Sequence, residues 1–189
     1  MAKRKSHCIA GKVSVPVWIK QGSIRLPHPS VPLLLVGPGT GCAPFRAFIE
    51  ERIALSVSSE KIVAPIIFFF GCRHEEEDFL YKEFWLAQTE DCKLLSHGLG
   101  GGFFVAFSRD QPRKVYVQHK IEEQSQNVWR ILQSGCSIYI AGSAHEMPVD
   151  VGDALEGVIV KEGHLSKENA KRWLKQLERS GKYHVEAWQ

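Results

Sequence analysis

Apolar residues in this chain fall into short unbroken runs separated by longer amphipathic stretches. Leu33-Leu34-Leu35-Val36 is one run, and 66–70 is another, two isoleucines followed by three phenylalanines. Runs this short without polar alternation predict strands buried on both faces. Residues 103–107 and 138–140 predict two more strands, and 183–188 a short last one. Between the runs, apolar positions recur three and four residues apart. Phe45, Phe48, Ile49 and Ile53 predict a helix from about residue 43, with Pro44 in its first turn, where a missing N–H costs nothing. Helices are predicted over 76–88, with Leu80 and Phe84 four apart, over 117–132, carrying Val117, Ile121, Val128 and Leu132, and over 147–160, carrying Met147, Val151, Leu155 and Val158. Ser166 is placed to cap a further helix holding Ala170, Trp173, Leu174 and Leu177, closed by Gly181.

Residues 13–19 read as a strand that Pro16 demotes to an edge, and 21–32, with three prolines, reads as a connector. Leu94-Leu95 is a short strand candidate, and 97–102, with four glycines, reads as a flexible loop. Trp18, Trp85, Trp129 and Trp173 sit at strand or helix spacing and are expected to be core or partly buried. Strands alternating with helices predict an α/β, doubly wound, mostly parallel sheet with helices on both faces. Ligands bind beyond the C-terminal strand ends of such sheets. That rule selects the loops at 37–41, 71–73, 108–109 and 142–147 as one rim.

Composition narrows the class. The chain has 189 residues, 44% hydrophobic and 24% charged, which excludes a disordered or collagen-like polymer and suggests one domain, or one and a fragment. A net charge of +3, from 24 basic and 21 acidic residues, argues for neither nucleic acid nor a membrane surface as partner. No apolar run approaches the ~20 residues of a membrane span. The apolar stretch after the basic start is broken by Gly11, Lys12 and Pro16, so it makes a poor signal-peptide core. The five cysteines are scattered and form no Cys-x-x-Cys pair, which points to neither a disulfide framework nor a zinc site. The histidines show no ligand spacing, so no metal is expected. A reducing, cytoplasmic setting fits best.

Four segments carry candidate chemistry. Gly37-Pro38-Gly39-Thr40-Gly41 lies between a strand and a helix, where glycines let backbone N–H groups approach a phosphate. It is neither a Walker loop nor the Gly-x-Gly-x-x-Gly fingerprint, and a tight turn without ligand is the alternative. Ser108, Arg109 and Lys114 lie within seven residues just past a strand, followed by Tyr116. A planar guanidinium and a mobile ammonium suit a dianionic 2′-phosphate, and Tyr116 suits adenine; the alternative is a solvated polar loop. The segment 141–148, with Asp150, has small residues that would let a flat ligand lie against a strand tip, or it is simple helix entry. Trp188, next to the last residue, either covers a planar cofactor or plugs the sheet edge.

Read in order, these segments resemble the NADP(H)-binding half of the ferredoxin–NADP⁺ reductase superfamily. Within it they look most like the diflavin reductases, which include cytochrome P450 reductase, and in particular the branch that feeds electrons to cytosolic iron–sulfur cluster assembly. The stretches that carry the likeness are 36–46, Phe70-Gly71-Cys72-Arg73, 106–111 and 114–119, with Ala141-Gly142, Met147 and Trp188, so it runs from about residue 24 to the end. The resemblance implies that Gly37, Gly39, Thr40 and Gly41 face the pyrophosphate and nicotinamide, with Cys72 and Arg73 on the same rim. It implies that Ser108, Arg109 and Lys114 hold the 2′-phosphate. Val115, Tyr116, Val117 and Gln118 bound the adenosine, and Asp150 lies near the nicotinamide end. Trp188 stacks on the FAD ring and moves aside for the nicotinamide, with Glu186 as the acid that helps poise hydride transfer.

The implied cofactors are NADPH, FAD contacted through Trp188, and FMN only in a full-length enzyme. The implied partner is an electron-acceptor protein of the anamorsin type. The chain departs from the family in having Ala141 where a cysteine is common, Glu186 in the place of a shorter acid, and no Arg-x-Tyr-Ser FAD signature. Residues 1–30 are therefore expected to be a remnant of the FAD-domain barrel strand and connector, and 31–189 the NADP(H)-binding domain. Two alternatives stand beside this: a truncated, non-catalytic nucleotide-binding module, and a P450 reductase-type domain.

Overall fold

A computed structural model describes residues 16, 18, 24–58, 63–91 and 93–188. Among them five strands form one sheet: β1 (Leu33–Val36), β2 (Ile66–Cys72), β3 (Gly102–Phe107), β4 (Ser137–Ser143) and β5 (Tyr183–Trp188). The order is β3-β2-β1-β4-β5, and every pairing is parallel. The helices are α1 (Ala43–Ser58), α2 (Glu75–Asp78), α3 (Lys82–Ala87), α4 (Val117–Glu123), α5 (Ser125–Gln133), α6 (Met147–Gly163) and α7 (Lys167–Arg179). Short 3₁₀ turns at Gly39–Cys42 and His97–Leu99 complete the order.

The apolar runs become strands because both of their faces are covered. Leu33 and Leu35 of β1, Ile66, Phe68 and Phe70 of β2, and Tyr139 of β4 face a core with Phe45, Ile49 and Trp85. Leu34, Val36, Ile67, Phe69, Ile138 and Ile140 point the other way, into a core with Val117, Ile121, Val128, Leu155 and Ile159. Each such side chain contributes roughly 1.5–3 kcal/mol on burial, so the three central strands hold the molecule together. On α7 the Ser166 Oγ accepts the Asn169 N–H at 3.3 Å, and Gly181 leaves the helix with φ +66°, as the capping pattern requires.

Several expectations need correction. The helix expected over 76–88 is two short pieces, because Tyr81 takes a left-handed conformation (φ 58°) and the Trp85 indole N–H donates to the Leu80 carbonyl at 2.7 Å. The helix expected over 117–132 breaks at Gln124. Just past the break, Ser125 is buried and bonded to Glu162 at 2.6 Å and Lys161 at 2.8 Å, both on α6. Leu94 and Leu95 are buried but lie in a turn, not a strand. Within the loop at 97–102, Gly98 has open space beside it, whereas a Cβ on Gly101 would lie 2.7 Å from the Leu94 carbonyl oxygen and 2.8 Å from that of Ile66, so that position is tightly packed. Most of the strand expected over 13–19 lies outside the described residues. Trp18 is 80% exposed, not core.

Two interactions fix the spacing of the central strands. The Arg52 guanidinium of α1 is fully buried and donates to Val31 O at 2.7 Å and Ala64 O at 3.2 Å, tying together the segments that lead into β1 and β2. Burial lowers its pKa to about 10, which leaves it charged at neutral pH. At the other strand ends, Gly41 lies against β4, where a Cβ would sit 2.0 Å from the Ala141 carbonyl oxygen. Arg52→Ala should therefore destabilise the chain by about 3 kcal/mol, since it opens a cavity and strips two carbonyls of their donors; unfolding in urea measures this. Gly41→Ala should lose roughly 3 kcal/mol through overpacking against backbone. Gly39→Ala, at a position with φ +56° and open space around it, should lose only about 1 kcal/mol. Equal losses for the two glycines would show that contact with β4 is not what Gly41 supplies.

Candidate functional site

The sheet reverses its strand order between β1 and β4, since β2 follows β1 on one side while β4 lies on the other. At such a switch point the loops beyond the two strands diverge to opposite faces and leave a crevice. A cleft of about 660 Å³ occupies that place, a volume within the usual range for small-molecule sites. Pro38, Gly39 and Thr40 come to it from the loop after β1, Gly71, Cys72 and Arg73 from the end of β2, and Ala106 and Ser108 from the end of β3. Val115, Tyr116, Val117 and Gln118 line it from the start of α4, and Ser143, Glu146, Met147 and Asp150 from the end of β4 and the start of α6.

The backbone explains why the glycines are there. Gly37 N–H donates to Phe69 O at 3.0 Å, and a Cβ on Gly37 would meet the Gly41 carbonyl and the Phe45 ring. Gly37 and Gly41 thus shape the turn from beneath, while Gly39 and Thr40 present it to the cleft. Gly71 sits where a Cβ would lie 3.0 Å from Val117, so β2 and α4 close on each other at the cleft floor.

The side chains fall into distinct groups. Tyr116 is 41% exposed along the wall, and its N–H donates to His119 Nδ1 at 2.9 Å, which satisfies one free donor at the start of α4. Gln118 Nε2 donates to Asp150 Oδ2 at 2.9 Å. The resemblance placed these two residues at opposite ends of the nucleotide, whereas here they touch, bridging α4 and α6. Cys72 Sγ donates to His74 O at 3.4 Å, and its pKa is pushed up to about 11 by burial and then by Asp78, Asp110 and Glu75. The thiol form therefore predominates at neutral pH. The Glu75 N–H, then His74, hold the Asp110 carboxyl below the ordinary aspartate range.

Six expected residues lie beside the cleft rather than in its lining: Gly37 and Gly41 beneath the turn, and Arg109, Lys114, Glu186 and Trp188. Arg109 and Lys114 are exposed, next in sequence to the lining residues Ser108 and Val115. Glu186 pairs in register with Ala141, and Trp188 with Ser143, so both stand on β5 at the edge next to the β4 tip. Trp188 is 39% exposed, and its carbonyl accepts the Ala144 N–H at 3.0 Å. Glu77, Asp78 and Leu80 line the cleft without having been singled out. They reach it because the chain breaks between α2 and α3, a feature set by the left-handed Tyr81 that periodicity does not show. Among the described residues no group of three His, Cys, Asp or Glu side chains is placed to hold a metal. No helix of the described residues is long and apolar enough to cross a membrane.

The donor set suits a dinucleotide phosphate. Thr40, Ser108 and Tyr116 offer hydroxyls, Gln118 an amide and Arg73 a guanidinium, while Asp150 is engaged by Gln118 and Asp78 by the His74 N–H at 3.3 Å. Comparison with known proteins agrees. Residues 35–152 match the model of the oxidoreductase NAD-binding domain. The chain is 56% identical over 178 residues to NADPH-dependent diflavin oxidoreductase 1 of Arabidopsis thaliana, covering 94% of this chain and 28% of that protein. It is 39% identical to the Danio rerio protein of the same name over 180 residues, again 94% and 28%. It is 40% identical to the NADPH–cytochrome P450 reductase of Aspergillus niger over 179 residues, covering 93% and 25%. The chain thus spans about a quarter of the length of these relatives. It belongs to the oxidoreductase NAD-binding domain family.

Proposed function

We propose that this chain binds NADPH in the cleft at the switch point and is the nucleotide-binding portion of a longer diflavin reductase, with residues 31–189 as that portion and 1–30 as the end of a preceding barrel strand and connector. The observation that carries the proposal is the shared cleft: Thr40, from the turn after β1, lines one cavity with Ser108 and Tyr116, from the connection between β3 and α4, and with Gln118 at the start of α4. On this reading Gly37, Gly39, Thr40 and Gly41 cradle the pyrophosphate through backbone N–H groups. Ser108, Arg109 and Lys114, with Arg73 near them, grip the 2′-phosphate, for which charge-assisted bonds are the strongest available. Tyr116 offers its ring to the adenine, with Val115, Val117 and Gln118 around it. Cys72 and Asp150 close the two sides.

When bound, NADPH supplies a hydride, which a flavin accepts. The chain's own part is to place the rings and shape the charge around them. Trp188 shields the flavin-facing side until the nicotinamide arrives. Glu186, beside Ala141, provides a negative charge that favours the positive charge growing on a nicotinamide as hydride departs. Among the described residues Trp188 is the one offered to FAD. Transfer through FAD and FMN to an acceptor belongs to the longer protein, for which the sequence resemblance implies an iron–sulfur assembly acceptor of the anamorsin type.

Arg109→Ala should weaken NADPH binding by about 1–3 kcal/mol, the size of a lost charge-assisted bond, and leave NADH binding unchanged. Calorimetric titration of both nucleotides against both proteins measures the difference. An equal loss for the two nucleotides would remove the 2′-phosphate assignment.

A further inference from the structure

We infer that Asp110, through His74 and Glu75, is a positioning residue that sets the orientation of Arg109 toward a ribose 2′-phosphate; the inference rests on the NADPH reading above. A carboxylate next in sequence to a cation proposed to hold a dianion looks misplaced, because like charges a few ångströms apart repel. The geometry gives it a different task. One Asp110 oxygen lies 2.8 Å from His74 Nδ1, and the other accepts the Glu75 N–H at 2.9 Å. Both oxygens are therefore engaged with the loop after β2.

Main-chain bonds run alongside. Ser108 N–H donates to Cys72 O and Arg109 N–H to Arg73 O, each at 2.9 Å. The Gln111 amide closes back onto the Phe107 carbonyl. Residues 108, 109 and 110 are thus stitched in succession to 72, 73 and 74–75, and Arg109 is the middle stitch. Arg109 is exposed on a loop. A long side chain on a mobile backbone would lose more freedom on gripping a ligand than the same side chain on a fixed one. Asp110 removes that mobility at the residue adjoining Arg109.

Two effects of opposite sign can thus be separated. As a brace Asp110 strengthens binding, and as a bare charge it weakens it. The chain and its variants are titrated with adenosine 2′,5′-bisphosphate, NADPH and NADH. Asp110→Ala should lose about fivefold in affinity for the two ligands with a 2′-phosphate and none for NADH, while Asp110→Asn, which drops the charge but keeps an acceptor for Glu75 and a partner for His74, should stay within about twofold or bind more tightly. Tighter binding of the 2′-phosphate ligands by Asp110→Ala would overturn the inference, as would an equal loss for NADH. Should Asp110→Ala not fold, His74→Ala removes one arm of the brace and is expected to shift the same two ligands in the same direction; no shift would overturn the inference. If Arg109→Ala weakens none of the three ligands, the NADPH reading itself fails; if it weakens the 2′-phosphate ligands and Asp110→Ala does not, only the brace fails.

Discussion

Gly41 and Ala141 stand on opposite sides of the switch point, one in the turn after β1 and the other in β4, with backbone against backbone. A Cβ on Gly41 would lie 2.0 Å from the Ala141 carbonyl oxygen, closer than any side chain tolerates. Because the turn can press against β4, Gly39 and Thr40 are carried forward over the crevice instead of being held back from it. The same approach brings the turn close to Gly142, whose φ of +147° suits the bend into the loop before α6. Walls supplied by β1 and by β4 are therefore set by one contact between main chains. The loops after β2 and β3 are positioned in turn by ladder bonds that continue past the strands into 72–73 and 108–109.

The sheet was legible because burial on both faces leaves a plain mark: four- and five-residue apolar runs such as 33–36 and 66–70 are too short for a helix and too apolar for a surface. The rim was legible for a topological reason. Once the strands are parallel, every residue just past a strand end gathers on one side, so Thr40, Arg73 and Ser108 could be grouped from strand order alone. The resemblance supplied roles for them that periodicity does not contain.

What could not be read depends on unusual local backbone or on contacts between segments distant in sequence. The break between α2 and α3 rests on Tyr81 in a left-handed conformation and on the Trp85 indole bonding Leu80 O, and neither leaves a local pattern. The break at Gln124 goes with Ser125 meeting Lys161 and Glu162, more than thirty residues away. Trp18 shows the converse failure. Its type and spacing suggested burial, yet the ring is exposed. The crossing of Gln118 to Asp150 likewise joins two positions that the resemblance assigned to different ends of a ligand.

The main-chain bond from Ala144 to the Trp188 carbonyl bears on how fast Trp188 would move in its proposed role. With the end of β5 held there, the indole can rotate about its own side-chain torsions while every backbone bond stays in place. Rotations of that kind at a partly exposed position take picoseconds to nanoseconds, whereas peeling a strand end takes microseconds or longer. On the proposed reading, in which Trp188 covers a flavin, a ring that turns about its own torsions on a pinned strand moves fast compared with enzymatic turnover.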